Sequence, residues 1–112
     1  MSNQIISDEA VEMGFSYLNT SSQEIAAARG NQIRMEYKAK RVFARKFLEA
    51  EGNVETRKAA ATDHSDYAAA MENVAVAEET WERMKDQRNR AELIIKAWQT
   101  AEASGRQIRS IR

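Results

Sequence analysis

The chain has no cysteine and no proline in 112 residues, and only four glycines and one histidine. Without cysteine there is no disulfide, no thiol nucleophile and no thiolate-bound zinc or iron–sulfur cluster. Without proline nothing in the sequence forbids long helices. No glycine-rich loop is present to cradle phosphates. No segment approaches the roughly 18 apolar residues of a membrane-spanning helix. β-branched residues are few and never alternate over a strand-length run, which excludes a sheet. The opening Met1 to Ile6 lacks a basic region and an apolar core of signal-peptide length, so the cytosol is the expected compartment.

What remains is dominated by Ala, Glu, Arg, Lys, Gln, Met and Leu, all good helix formers, and the expected class is all-α. Formal net charge is zero, with 17 Lys and Arg against 17 Asp and Glu, so no global field draws the chain to nucleic acid or membrane. The charges are nonetheless segregated. Residues 1–28 carry four acids (Asp8, Glu9, Glu12, Glu24) and no Lys or Arg. Residues 29–46 carry seven bases against Glu36 alone. Residues 59–80 carry five acids and no Lys or Arg, and residues 81–96 carry five bases against three acids. Folding back near Gly52 and Asn53 brings opposite signs together along both halves. The layout therefore predicts an antiparallel long helical hairpin of coiled-coil type.

Ser7, Asp8 and Glu9 open a first helix. The run Asn19-Thr20-Ser21-Ser22 weakens it, and Ser21 with Glu24 fits a capping box. The expectation is a short N-terminal helix over about 8–19 and a second helix from about 22 to 51. The second helix carries an apolar stripe of Ile25, Ala28, Met35, Ala39 and Val42, broken by Gln32. Residues 54–61 look weakly helical. A last long helix is expected to start near 63–65, separate from 54–61 or continuous with it. Its seam holds His64, Tyr67, Met71, Val74, Ala77, Trp81, Met84, Arg88, Ala91, Ile95 and Trp98. Gly105 is expected to end it. This gives one helical domain over 1–105 and a basic, flexible tail over 106–112. A hairpin has one seam and cannot cover every aromatic and aliphatic residue, so a homodimer forming a helical bundle is expected. Tyr67, Met71, Trp81, Met84 and Trp98 are the candidate interface residues.

Little here suggests catalysis. His64 beside Asp63 and Asp66 reads as a helix-start residue, since metal sites need more ligands at helical spacing. Glu78 and Glu79 are adjacent and point about 100° apart, so they make no acid–base pair. Ser21 and Ser22 lack a base. No metal, cofactor or enzymatic activity is expected. Arg88 lies on the apolar stripe and, in a tight hairpin, is level with Glu12 as an ion-pair partner.

The strongest functional candidate is Arg34, Lys38, Arg41 and Arg45, spaced 4, 3 and 4 on one helical face. This basic ridge has two readings. It can pair with the acidic half of the last helix and otherwise be solvated. Alternatively, it can hold nucleic-acid phosphates, with Tyr37 and Phe43 offering stacking to unpaired bases.

The stretch from Arg90 through Ala91-Glu92-Leu93-Ile94-Ile95-Lys96-Ala97-Trp98 to Gly105-Arg106 resembles the ending of a group of small phage and prophage proteins. The opening Ser7 to Val11 through Tyr17-Leu18, with its Ser-rich break, resembles the same group. Pro often stands in that group where this chain has Ser22 and Ser65. The resemblance implies an early-expressed accessory protein in a bacterial host, associated with recombination and replication genes. It supplies no catalytic residue. The function expected from the sequence is binding to a phage or host protein, with direct single-stranded nucleic-acid binding and inhibition of a host defence or host enzyme as the alternatives.

Overall fold

The computed structural model describes residues 6–111, with side chains described through residue 105. Three helices make up the fold: α1 (Asp8–Glu49), α2 (Val54–Asp63) and α3 (Ser65–Ile111). The class is all-α, and there is no strand among the described residues. None of these helices is long and apolar enough to cross a membrane.

The separate N-terminal helix expected from the sequence does not exist. α1 runs unbroken through Asn19-Thr20-Ser21-Ser22. The Thr20 hydroxyl donates to the Ser16 carbonyl of its own helix at 2.9 Å, and Ser21 is buried at 2% exposure. A short polar side chain that bonds back one turn, or packs into a seam, need not end a helix. The short helix is α2, at the reversal. Gly52 takes φ +112°, which L side chains rarely adopt, and ends α1's course cleanly. The Asn53 side chain then caps α2 by accepting from the Thr56 amide at 2.9 Å. His64 closes α2 and opens α3. Its amide donates to the Ala61 carbonyl, and its Nδ1 accepts from the Asp66 amide at 3.0 Å. His64 is thus spent as a cap, and the chain is broken rather than continuous there. At the other end, α3 does not stop at Gly105 but continues to Ile111. The side chains of the expected tail, 106–112, lie outside those described.

The helices pack as two units, residues 25–82 and residues 1–24 with 83–112. In the first, α1 and α3 run antiparallel: Lys46 meets Asp66, Phe43 meets Tyr67, and Arg29 covers Trp81. Ala39, Ala61, Val74 and Ala77 are its buried apolar residues, with Gln32 among them at 5% exposure. Gln32 breaks the apolar stripe without being stranded: it accepts from Arg29 at 3.0 Å and donates to Glu36 at 3.3 Å. Arg29, itself exposed, in turn lies 4.4 Å over the Trp81 ring, a cation–π arrangement.

The other unit pairs the start of α1 with the later part of α3, again antiparallel. Val11, Ala91 and Ile95 are buried there. Gly14 faces this seam, where a Cβ would make ordinary contact at 3.5 Å with both the Ala91 carbonyl oxygen and Ile95. The Tyr17 hydroxyl donates to Gln87 Oε1 at 3.1 Å, with the Met84 carbonyl at 3.3 Å as the competing acceptor. Arg88 does not pair with Glu12. It takes Glu92 on its own helix at 3.3 Å, the geometry that an i,i+4 spacing supplies without any tertiary contact.

Candidate nucleic-acid interface

The register of the unit over 25–82 decides what the basic ridge can meet. Residues 29–46 lie opposite the stretch from Asp66 to Trp81, as the Lys46–Asp66, Phe43–Tyr67 and Arg29–Trp81 contacts fix. The facing stretch holds Asp66, Glu72, Glu78 and Glu79 and no Lys or Arg. The opposition of charge is therefore real, but little of it becomes contact. Glu72 precedes the buried Val74 by two residues and Glu79 follows the buried Ala77 by two. At about 100° per residue, both point away from α1.

Glu78 stands one residue after Ala77, on the flank opposite Asn73, which stands one before Val74. Asn73, with Asp66, Ala69 and Ala70, forms the α3 wall of a groove. Lys38, Arg41 and Arg45 form the α1 wall, Met35 and Val42 complete the lining, and the hollow measures about 480 Å3. Of the four acids, only Asp66 shares this groove with the ridge. Small side chains at 69 and 70 leave the space open.

Arg34, Lys38, Arg41 and Arg45 are all exposed. Among the described residues, none of the four is held in an ion pair or hydrogen bond. The cation that does bridge the helices is Lys46, one residue beyond the ridge. Its ammonium lies 3.1 Å from Asp66 and 3.2 Å from Glu49, with its side chain 14% exposed. Among the described residues, direct pairing with the acidic half of α3 is therefore confined to Lys46, beside the ridge, and the four ridge side chains are solvent-exposed. The opposing acids are present but turned away, and the one that faces the groove is taken by Lys46.

No family model, curated protein or solved structure matches this chain. The functional reading consequently rests on the side chains themselves.

Tyr37 is 68% exposed and borders a second hollow of about 260 Å3 with Arg34, Lys38 and Arg41. Phe43, the other stacking candidate, is not available. Its ring meets Tyr67 edge-on in the seam, centroids 5.3 Å apart and planes at 65°. The candidate interface residues divide in the same way. Tyr67 and Trp81 are half-buried against α1, the Met84 carbonyl faces Tyr17, Trp98 is half-buried, and Met71 stays exposed. The sequence reading missed Ala69, Ala70 and Asn73 as the far wall of the groove. The signal was the Ala68-Ala69-Ala70 run, which becomes meaningful only once the register sets it against the ridge. It also missed the Arg29–Gln32–Glu36 chain, for which the polar break at Gln32 was the visible sign.

The groove also carries a pH-dependent contact. The hydrogen bond from Lys46, and then its charge, hold the Asp66 carboxyl below the usual carboxylate value of 3.8, with His64 and Arg45 adding to the shift. The same bonds, from Asp66 first and Glu49 second, raise Lys46 above 10.5. A carboxyl with a depressed folded pKa contributes stability above its unfolded pKa and loses it as pH falls through the folded value. A raised lysine contributes below its unfolded pKa and loses that as pH rises through the folded value. Comparing wild type with Asp66→Asn in urea unfolding should show a stability difference that is level from about pH 5 to about pH 9. The difference should shrink below 3.8 and again above 10.5. A difference that is the same at pH 3 as at neutrality, or is absent throughout, removes the bridge as a determinant of this register.

Proposed function

We propose that this chain is a non-catalytic binding protein whose ridge of Arg34, Lys38, Arg41 and Arg45 holds the phosphates of nucleic acid. The observation that carries the reading is that all four cations are exposed on one face, beside a groove, and none is held in an ion pair or hydrogen bond among the described residues. At about 1.5 Å rise per residue the ridge is about 16 Å long, enough for several successive phosphates. Zero net charge does not oppose this, because phosphate contacts act locally within a Debye length of about 8–10 Å. The test is fluorescence anisotropy of labelled single- and double-stranded DNA with the purified protein at low salt. Absence of binding at tens of micromolar rejects the reading.

The likeness of both chain ends to small phage and prophage proteins supports a setting among recombination or replication accessory factors in a bacterial cytoplasm. There the chain would act beside a phage or host protein partner. A second observation favours self-association. Among the described residues, seven apolar side chains are buried and four of them are alanine, whereas Met13, Phe15, Ile33, Leu48, Met71, Val76 and Leu93 are exposed. A homodimer would cover part of this surface. Light scattering at micromolar concentration should give twice the 12.7 kDa chain mass. A monomeric mass removes the dimer and leaves the ridge reading standing.

A further inference from the structure

We infer that the ridge takes an unpaired nucleic-acid strand in preference to a duplex, with the Tyr37 ring as the platform on which a base stacks. This rests on the ridge reading above and specifies its ligand. Tyr37 precedes the buried Ala39 by two residues, so at about 100° per residue it stands on the side of α1 turned away from α3. It is 68% exposed. No aromatic ring or guanidinium lies against it among the described residues, and its hydroxyl bonds to nothing there. Every other tyrosine in the chain is engaged: Tyr17 bonds across to α3 and Tyr67 packs on Phe43. The arginines at 29 and 57 lie over Trp81 and Phe47.

Three of the four ridge cations surround Tyr37. Arg34 lies one turn before it, Lys38 adjoins it, and Arg41 lies one turn after, and the four side chains border one hollow of about 260 Å3. Ile33, 48% exposed, extends the apolar surface one turn toward the N-terminus. An aromatic face set among cations is the arrangement by which proteins hold single strands: the cations follow the phosphates and the ring takes a base of any identity. A duplex offers the phosphates but not the base face, because its bases are already stacked on one another. The ridge alone does not discriminate between the two forms, whereas the ridge with an open ring does. One platform also predicts sequence tolerance, since stacking reads the π-face rather than the hydrogen-bonding edge.

The test uses the whole protein with a fluorescein-labelled oligo-dT of about 20 nucleotides and a duplex of equal length, in about 50 mM salt. Wild type should bind the single strand about tenfold more tightly than the duplex. Tyr37→Ala should remove about that tenfold from the single strand while changing duplex binding by less than about twofold. Tyr37→Phe should keep the preference, because the ring and not the hydroxyl acts. Tyr37 is a surface residue without partners, and circular dichroism of each variant controls for folding. Equal affinity of wild type for both probes overturns the inference. So does a Tyr37→Ala protein that retains the preference or weakens on both probes alike. In those cases the ridge reading stands. If neither probe binds, the ridge reading falls, and this one with it.

Discussion

Arg41→Glu/Arg45→Glu is expected to fold with undiminished helix content and to lose nucleic-acid affinity by about a hundredfold or more at low salt. The fold survives because both side chains are exposed and neither holds an ion pair or hydrogen bond among the described residues. Glutamate is also nearly as good a helix former as arginine. Binding does not survive because two cations become two anions on a ridge of four, cancelling its local charge. The salt dependence gives the sharper reading. Four phosphate contacts correspond to a log–log slope of about −2.8 for a single strand, so wild type should weaken about fiftyfold between 50 and 200 mM salt. The variant should show almost no slope. Because Arg45 contributes to the field at Asp66, Arg41→Gln/Arg45→Gln is the milder companion. It removes two contacts and should leave roughly half the slope. Unchanged affinity in the charge-reversed protein would mean that binding, if present, uses another surface.

The largest effect on stability is expected from Ile95→Ala. Ile95 is 7% exposed and packs where α1 presents Gly14, with the position of a Gly14 Cβ lying 3.5 Å from it. Truncation of a buried isoleucine costs about 2–5 kcal/mol, the amount depending on how far the site can collapse. Here collapse is limited, because a glycine has no side chain to move into the void, which places the cost toward the upper end. Leu93, 65% exposed two residues earlier, is the control: Leu93→Ala should change stability by less than about 0.5 kcal/mol. Urea unfolding followed by circular dichroism measures both. Adding Gly14→Ala to Ile95→Ala should recover part of the loss, since the new methyl fills the space that truncation opens. Equal and small losses at 93 and 95 would show that the seam is not packed as described.

The two expectations differ in how far each was legible from sequence. The ridge needed only helical spacing: 4, 3 and 4 place four cations on one face whatever the tertiary arrangement. Whether those cations were free depended on a register shift of a few residues and on the rotation of α3. Charge counting sees neither. It registers that Glu72 and Glu79 are opposite in sequence, but not that they stand on the far side of their helix. The same holds for the Ser-rich run at 19–22. Its residues are good caps, but the Thr20 hydroxyl bonds back to Ser16 within α1 and Ser21 is buried in the packing with its hydroxyl unpartnered, so a local signal for a helix end was overridden by packing. Gly105 was likewise passed by α3, a mid-helix glycine costing about 1 kcal/mol relative to alanine, too little to stop a long helix.

Composition and periodicity by themselves determined that the chain is helical, that it reverses near Gly52 and Asn53, and that its cations gather on one face. These follow from interactions within a few residues, where propensity, caps and the 3.6-residue period suffice. Tertiary structure alone decided which charges meet, which aromatics are half-buried and which remain open to solvent. Those outcomes depend on how one helix is rotated and shifted against another. That geometry is set by the sum of many weak side-chain contacts, and no local pattern encodes it.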